Sequence, residues 1–218
     1  MPLIRWHGHA CFEIVSSSGK VLVIDPHDGT SIGIKRPSVQ ADIVLISHDH
    51  FDHNAFHVVA KPGAEVIKMF VGERTINGIH ILGVKTFHDK VGGRRRGENV
   101  VYRIAVDNIV IIHLGDLGHE LDEATANRLK PVDVLLIPVG GTFTIGPEEA
   151  WNVIKALEPN VVIPMHYWIP GLNLPLRTVD EFISKASGNW RVEKLSSNEI
   201  TISKETMPRN IVYVLQPP

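Results

Sequence analysis

The sequence has one cysteine, Cys11, among 218 residues. An intramolecular disulfide needs two cysteines and a thiolate zinc cluster needs several, so the composition excludes both. The chain also lacks an excess of positive charge, because 22 lysines and arginines stand against 24 aspartates and glutamates and give a formal net charge of −2. This balance argues against a dedicated nucleic-acid surface, which is normally basic.

Long apolar runs are missing as well, and none approaches the length that crosses a bilayer. The first predicted strand follows Met1 almost directly. We therefore expect no signal peptide and no contact with a membrane, and we place the protein in the cytoplasm. The remaining composition, 44% hydrophobic and 21% charged, is ordinary for a globular protein. A chain of this length can bury a sizeable core, and we expect a single domain over residues 1–218.

Histidine, in contrast, is concentrated in one place. Three histidines and two aspartates fall within His48–His53, where a content of 12 histidines predicts about a third of one histidine. The apolar run Ile43–Ile46 precedes them and is typical of a buried strand. Imidazole nitrogens and carboxylate oxygens that converge at a strand end suit zinc, iron or manganese. The alternative is a solvated turn with a helix cap at Asp49 or Asp52, but a cap does not need three imidazoles.

The same arrangement recurs along the chain, because other short β-rich runs also end in histidine or aspartate. Four such runs are followed by Asp25, by His88, by His113 and Asp116, and by His166. A single histidine after a strand is usually structural. Four such ends together with a dense cluster predict one edge of a β-architecture at which these side chains meet.

The pattern of the whole chain predicts a layered α/β fold. Strands dominate the first half, near residues 3–6, 10–15, 20–25, 42–47, 65–69, 79–87, 99–106 and 109–113. The second half alternates strands near 133–138, 161–164 and 210–215 with helices over 121–129, from 147 to about 157, and from a capping box at Thr178 and Glu181 to about Gly188. We expect a four-layer αββα sandwich, with two mixed β-sheets inside and helices outside.

These residues carry a family resemblance. The ordered set His48-x-His50-x-Asp52-His53, His88, Gly115-Asp116 and His166 resembles the ligand set of the metallo-β-lactamase fold superfamily. Four further segments narrow the resemblance to a small, stand-alone branch of metal-dependent hydrolases related to the ascorbate-phosphate lactonases: Trp6–Ala10, Val23–Pro26, Pro138–Thr142 and Pro164–Tyr167. The likeness runs from about residue 4 to residue 168, and its His-x-His-x-Asp-His element is the most specific part.

The resemblance implies two divalent metal ions. The first would be held by His48, His50 and His88, the second by Asp52, His53 and His166, and the bridge between them would be Asp116 with a hydroxide. A carboxylate can contact two cations about 3.5–4 Å apart, which a histidine cannot, and a metal lowers the pKa of bound water to about 7. The bridging hydroxide would then be a nucleophile at neutral pH. Zinc suits these ligands best, while manganese, iron and nickel accept the same set.

Two residues are predicted to act beside the ligands. Asp25 is predicted to hold the second ring nitrogen of a metal-bound histidine, although a turn before Pro26 explains an aspartate there equally well. His9 follows the first strand and is predicted to bind substrate, shuttle a proton or ligate weakly, with a buried structural histidine as the alternative. We accordingly expect catalytic roles for Asp52, Asp116 and His9.

Two glycine-containing segments have competing interpretations. Arg94, Arg95 and Arg96 fall in a glycine-flanked, mobile loop soon after His88. Guanidinium groups match phosphate or carboxylate with paired hydrogen bonds, so the loop indicates an anionic substrate, while the alternative is a solvated hairpin tip. The turn Gly140–Thr142 is predicted either to present backbone N–H groups to an oxyanion or simply to reverse the chain.

Taken together, the sequence predicts a metal-dependent hydrolase that attacks a small ester, lactone or phosphodiester-like substrate with a metal-bridged hydroxide. An RNA-processing nuclease is disfavoured by the near-neutral charge and by the lack of room for an appended strand-gripping domain. The other alternative is iron-based redox chemistry or non-catalytic metal binding. The resemblance disfavours the redox role, since redox relatives tend to carry glutamate at the position of His50 and a flavin domain. The expected partner is a small molecule, and exposed sheet edges leave a homo-oligomer open.

Overall fold

The computed structural model describes residues 1–218, which form fourteen strands and three α-helices. The strands are β1 (Leu3–Trp6), β2 (Phe12–Val15), β3 (Val21–Ile24), β4 (Ala41–Ile46), β5 (Ala60–Lys68), β6 (Gly72–Ile76), β7 (Ile79–Phe87), β8 (Glu98–Val106), β9 (Ile109–His113), β10 (Val134–Pro138), β11 (Val161–Met165), β12 (Arg191–Lys194), β13 (Glu199–Thr201) and β14 (Ile211–Val214). The helices are α1 (Glu123–Leu129), α2 (Pro147–Leu157) and α3 (Val179–Ile183).

The strands form two mixed sheets. The six-stranded sheet has the order β13-β1-β2-β3-β4-β5, in which β3, β4 and β5 are parallel and the other pairs antiparallel. The eight-stranded sheet has the order β12-β14-β11-β10-β9-β8-β7-β6, parallel from β12 to β9 and antiparallel from β9 to β6. Because β7 and β9 both run antiparallel to β8, they share one direction, and their carboxyl ends reach the same edge.

Alternation along the central strands explains why the sheets stack. One face of β3 and β4 enters a core of 55 buried residues that joins both sheets: Leu22, Ile24, Ile43 and Leu45. The opposite face enters a separate cluster of eight buried residues, to which it contributes Val23, Val44 and Ile46. A period of two places successive side chains on opposite faces, and each fully buried aliphatic side chain contributes about 1.5–3 kcal/mol.

The helices lie on the outer face of the eight-stranded sheet. Buried residues of α2, such as Ala150 and Ile154, belong to the large core, and α2 contacts both α1 and α3. The outer face of the six-stranded sheet is covered by a short 3₁₀ turn, Phe56–Val58, through Ala55 and Val58. The expected sandwich of two mixed sheets is thus confirmed, with few helices around it. No helix is both long and apolar enough to cross a membrane.

Three element predictions were wrong in detail. Strand β6 was missed because only Ile76 of its five residues is buried, so it has no apolar alternation. Strand β5 begins at Ala60 rather than near residue 65, since its first half is a poorly buried edge. Helix α3 ends at Ile183 rather than near residue 188, and Thr178 makes no capping bond with its side chain. Glu181 instead accepts a hydrogen bond from Arg177 over 3.2 Å.

Candidate metal centre

The predicted ligands lie where strands end at one edge of the sandwich. His48–His53 follow β4, His88 follows β7, Asp116 follows β9 and His166 follows β11. These strands run in the same sense within each sheet, so their carboxyl ends converge. The shared strand direction therefore brings the histidines and aspartates to one edge of the sandwich, and residues more than a hundred positions apart in the sequence become neighbours.

The backbone at this edge is strained. His9, Asp25 and His166 have φ values of 52°, 47° and 52°, in the left-handed region that costs a non-glycine residue of order 1–3 kcal/mol. Gly115 also has a positive φ, and a Cβ there would lie 2.4 Å from Asn99 Oδ1. The turn that presents Asp116 therefore requires glycine. Strain of this kind persists where the surrounding structure enforces it, which is common at functional sites.

The histidines and aspartates form two groups, and a third group, Asp25, His48 and His53, overlaps both. Within each group the potential ligand atoms all lie within 4.8 Å of one another; the first consists of His48, His50 and His88, and the second of His9, Asp52, His53 and His166. Imidazole rings of the two groups are closely packed, with centroids 4.2 Å apart for His48 and His53. Apart from His9, the division is the one that the family resemblance implied.

Asp116 lies between the two groups. Its Oδ2 is 3.1 Å from His88 Nε2 and 3.7 Å from His48 Nε2 in the first group. The same carboxylate reaches the second group, with Oδ2 at 3.2 Å from His166 Nε2 and Oδ1 at 3.3 Å from His53 Nε2. A carboxylate in this position can contact cations on both sides.

Several polar atoms at this edge are buried and have no hydrogen-bond partner. They include Asp116 Oδ1 and the Nε2 atoms of His48, His53 and His166. An unsatisfied buried polar group costs about 1–3 kcal/mol, so four of them in one place need an explanation. The atoms are the nitrogen and oxygen donors that zinc and similar divalent metals take. The donor set therefore fits metal ions.

A hydrogen-bond chain fixes which nitrogen of two histidines is free. Asp25 accepts from the Ser47 N–H at 2.7 Å, from the Ser47 hydroxyl at 2.6 Å and from His53 Nδ1 at 3.1 Å. Because the Ser47 hydrogen is given to Asp25, His48 Nδ1 donates its own hydrogen to Ser47 Oγ over 2.9 Å. In their neutral forms both imidazoles therefore keep their hydrogen on Nδ1 and present the lone pair of Nε2 towards Asp116, as metal ligation requires. Asp25 has the contacts its predicted role demands, and Ser47 was not foreseen.

Asn99 is a second residue that the sequence did not reveal. Its Oδ1 accepts from the Asp116 N–H at 2.9 Å, and its Nδ2 donates to Thr86 Oγ1 at 2.8 Å and to Leu114 O at 3.0 Å. The side chain is fully buried. Asn99 therefore fixes the turn that carries Asp116, through contacts that no local motif signals.

Charges at the centre are strongly coupled. Burial opposes a charge on His53, but the adjacent carboxylates of Asp116 and Asp52 raise the pKa of His53 well above its usual value. Burial and the neighbouring His53 lower the pKa of His48 to about 3. Although burial acts the other way, His166 and His53 hold the pKa of Asp116 well below its usual value. Ionised carboxylates thus surround a proton on His53, and a divalent cation would supply the same positive charge.

His9 contacts Asp52 rather than standing alone. Burial and the nearby His166 lower the pKa of His9 to about 3, so it is neutral at pH 7. Histidine neighbours hold the pKa of Asp52 below its usual value against the effect of burial. The carboxylate can then only accept, so His9 Nε2 donates to Asp52 Oδ2 over 3.0 Å. His9 lies in the site and orients Asp52.

A pocket of about 280 Å³ adjoins the metal centre. Its lining combines site residues with one cation and an apolar wall: His50, Phe51, Asp52, His88, Arg96, Asp116, Phe143 and Leu174. Such a volume lies near the lower end of the range for small-molecule sites, about 300–1,000 Å³. The opening therefore suits a small substrate with both polar and apolar parts.

The arginine loop is held by backbone hydrogen bonds, and its three arginines differ in position. Asp89 accepts four backbone N–H bonds of 2.8–2.9 Å from the loop, given by Val91, Gly93, Arg95 and Arg96. These bonds, against the effect of burial, hold the pKa of Asp89 below its usual value. Only Arg96 lines the pocket, where its guanidinium lies 4.5 Å from the Phe143 ring centroid. Arg94 and Arg95 are exposed and lie outside the pocket, as the solvated-tip alternative expects, whereas Arg96 adjoins the pocket.

The glycine turn after β10 is a chain reversal. Gly140 N–H donates to His166 O over 3.0 Å, and a Cβ at Gly140 would lie 2.2 Å from that oxygen. The Thr142 hydroxyl donates to Pro175 O over 2.7 Å. The Gly140 N–H is therefore not available to an oxyanion, and the tight-turn interpretation holds for it.

Three polar or aromatic residues near the site have structural contacts instead. His113 donates from Nε2 to Ala10 O over 2.9 Å and accepts the Gly115 N–H at Nδ1 over 3.0 Å. Tyr167 packs against Trp6 with ring centroids 5.3 Å apart. Asp49 accepts from Asn54 Nδ2 over 2.8 Å at the surface of the loop. None of the three contributes an unpaired donor to the centre.

Comparison with known proteins places this arrangement. Residues 3–166 match the profile of the beta-lactamase superfamily domain. A UPF0173 metal-dependent hydrolase from Thermococcus onnurineus is 34% identical over 197 residues, covering 78% of this chain and 87% of that protein. The crystal structure of a metallo-β-lactamase superfamily protein from Thermotoga maritima is 37% identical, with a TM-score of 0.80, covering 99% of this chain and 100% of that chain. Igni18, a metallo hydrolase from Ignicoccus hospitalis, has a TM-score of 0.65 at 24% identity, covering 84% of this chain and 89% of that one, and supports the fold alone.

The fold, the histidine- and aspartate-lined edge and these relatives define a metal-dependent hydrolase. The chain belongs to the beta-lactamase superfamily, and its three-dimensional relatives have the metallo-β-lactamase fold. The resemblance seen in the sequence is thereby confirmed.

Proposed function

We propose that this protein hydrolyses a small ester, lactone or phosphodiester-like substrate with a pair of divalent metal ions. The observation that carries the proposal is the Asp116 carboxylate between two groups of imidazoles, with contacts of 3.1–3.7 Å to both. A single-metal or closed structural site would not need a carboxylate in that position.

The ligands are proposed as the sequence predicted them. His48, His50 and His88 would hold one ion, Asp52, His53 and His166 the other, and Asp116 both. The unpartnered buried donors at this edge support that assignment. Zinc is our first choice because the grouped donors are nitrogen and oxygen atoms of histidine and aspartate, while manganese, iron and nickel accept the same donors.

When bound, such ions polarise the scissile carbonyl or phosphoryl group and supply an ionised water as nucleophile at neutral pH. The residues of the chain prepare the site for this. Asp25 and Ser47 hold the His53 and His48 rings in one tautomer. His9 holds the Asp52 carboxylate by a buried hydrogen bond, which deepens its predicted catalytic role. Orientation of this kind removes reorganisation from the reaction step.

The pocket wall is the remaining contribution of the chain. Phe51, Phe143 and Leu174 give the pocket its apolar lining, which would cover part of a bound molecule from water. Exclusion of water strengthens the electrostatic interactions inside the site. A small substrate would thus place its reacting bond at the metal centre and its apolar part against this wall.

The test begins with metal content. Protein purified without chelator is analysed by elemental mass spectrometry, and matched samples are assayed on phosphodiesters, lactones and carboxyesters before and after chelation. We expect about two metal ions per chain. We also expect that chelation abolishes turnover and that adding back one of the candidate metals restores it. Metal content near zero that no ion restores would overturn the proposal. Bound iron with a visible absorption band and no hydrolysis would instead favour redox chemistry.

A further inference from the structure

We infer that Arg96 is a specificity-determining residue that binds an anionic group of the substrate, a carboxylate or a phosphate. The inference rests on the proposed hydrolase function and names the class of substrate for the same pocket. Arg96 is the one cationic side chain among the pocket-lining residues.

The position of Arg96 is set by its neighbours. Two backbone contacts of Asp89, to the N–H groups of Arg95 and Arg96, are 2.8 Å long and fix the loop. Asp89 directly follows His88, one of the predicted ligands, so the residue that holds the loop is adjacent to a residue of the metal centre. The Phe143 ring supports the guanidinium from another loop at 4.5 Å. A side chain held at both its backbone and its head group is prepared for binding.

The charge of Arg96 is not neutralised within the protein. Its guanidinium makes no ion pair, and its side chain has no hydrogen bond to a carboxylate. The acidic residues of adjoining segments are taken by lysines, since Glu98 pairs with Lys85 and Glu149 with Lys90. The planar N–H groups of arginine match carboxylate and phosphate oxygens in paired geometry. A free guanidinium at the wall of a metal-centred pocket thus favours an anion.

The pocket also limits the rest of the substrate. A volume of about 280 Å³ admits a small molecule, and Phe51, Phe143 and Leu174 give it an apolar wall. The substrate inferred here has three parts: a hydrolysable bond, an apolar or aromatic body, and an anionic group that reaches Arg96.

The experiment compares substrates that differ in charge and arginines that differ in position. The probes are para-acetoxybenzoate, its neutral amide para-acetoxybenzamide, and para-acetoxyphenyl phosphate, assayed with the metal-loaded protein. The variants are Arg96→Ala and Arg96→Lys. Arg95→Ala is the matched control, because it removes the same charge from the same loop at a side chain outside the pocket. Circular dichroism and metal content verify that each variant is folded and loaded.

We expect the wild type to prefer the anionic probes and Arg96→Ala to raise KM for them about 10- to 100-fold, as for loss of a charged hydrogen bond. Turnover of the amide should stay within about twofold, and Arg96→Lys should restore part of the loss. The anionic probe whose KM rises more in Arg96→Ala shows whether Arg96 prefers a carboxylate or a phosphate. Equal losses on neutral and anionic probes, or an equal effect of Arg95→Ala, would overturn the inference.

A binding measurement separates this inference from the proposed function. Calorimetry of benzoate and phenylphosphonate with the metal-loaded protein needs no turnover. Arg96→Ala should weaken the tighter anion about 10- to 100-fold relative to Arg95→Ala. This result without any hydrolysis would reject the hydrolase and keep the anion site. If the protein is a hydrolase but Arg96→Ala leaves anion affinity unchanged, only the proposed anion site is rejected.

Discussion

The two ends of the sandwich treat buried carboxylates in opposite ways. At the end away from the metal centre, Asp133 accepts from the Val110 N–H at 2.9 Å and receives Lys204 Nζ at 2.7 Å. Asp42 similarly accepts from the Val21 N–H at 2.9 Å and pairs with Lys61. Both aspartates lie at the amino ends of parallel strands, and the chain supplies a lysine to each.

At the opposite edge, where Asp116 follows β9, the chain supplies no lysine to the buried carboxylate. Asp116 is 2% exposed, as deeply buried as Asp133 at 3%, yet its Oδ1 has no hydrogen-bond partner. Its neighbours are imidazoles, of which His48 is neutral because burial and His53 lower its pKa to about 3. The nearby positive charge is that of His53, whose pKa is raised, and Asp52 and Asp25 share it with Asp116. Buried carboxylates that outnumber their cations are costly, so the difference between the ends indicates that further positive charge at the metal centre comes from outside the chain.

Removing Asp116 should have the largest effect on function. We expect Asp116→Ala to lower metal content from about two ions to one or none and to reduce chelator-sensitive turnover to background, because both groups lose a shared ligand. Asp116→Asn keeps the size and should behave similarly. Elemental analysis, assay and circular dichroism check metal, activity and fold. Activity retained with one ion gone would contradict the bridging role.

Asp25→Asn should weaken the centre without removing a ligand. An amide that donates to His53 Nδ1 would move the ring hydrogen to Nε2 and block ligation, since the Asp25–His53 contact of 3.1 Å now fixes the opposite tautomer. We expect metal affinity to fall about 10- to 100-fold, measured by competition with a chelating dye. Asp49→Asn, an exposed aspartate in the ligand loop, is the matched control. Equal metal affinities of the Asp25→Asn and Asp49→Asn variants would contradict the role of Asp25 in orienting His53.

The metal edge could be predicted from the sequence because its signals are local. A short apolar run followed by His88, Asp116 or His166 predicts both a strand and a potential metal ligand at the carboxyl end of that strand. Chain direction in the sheets then brings these ends together. The residues that hold the ligands could not be predicted, since Ser47 and Asn99 are common polar types whose partners lie 22 and 17 positions away.

The pocket wall was invisible for a related reason. Phe51, Phe143 and Leu174 come from three separate loops and share no spacing. Arg96 could be singled out from Arg95 only once the pocket lining and the contact with Phe143 were known. The contacts of a loop cannot be predicted from the sequence when its residues have no periodic pattern. In a strand, by contrast, the alternation of apolar and polar residues predicts which face is buried.

Asp133→Ala tests the lysine-paired end. It leaves the Val110 N–H without a partner, so we expect a loss of about 1–3 kcal/mol in the free energy of unfolding and unchanged metal content and turnover. Lys204→Met is the matched control and should cost less, because the lysine is half exposed and exposed ion pairs contribute about 0–1 kcal/mol. Urea denaturation supplies both values. Loss of metal in Asp133→Ala would contradict the separation of the two ends.

The smallest effect concerns acid stability of the metal-free protein. Burial lowers the pKa of His27 to about 4 and the pKa values of His9 and His48 to about 3. Burial also lowers the pKa values of His50 and His113. Below pH 6.5 the unfolded chain protonates these side chains while the folded chain does not, so stability falls as pH falls. His53, whose pKa is raised, binds a proton in both states there and adds no slope. Aspartates with lowered pKa contribute only below about pH 4.

We therefore expect the free energy of unfolding in chelator to decrease between about pH 6.5 and 4.5, by at most about 1.4 kcal/mol per pH unit for each of these histidines. His27→Gln should reduce that slope by one such increment, because His27 lies outside the predicted ligand set. His57→Gln, which removes an exposed imidazole, is its matched control. Denaturant titrations at several pH values measure the slope. A slope that His27→Gln leaves unchanged would mean that the His27 imidazole is protonated within the folded protein.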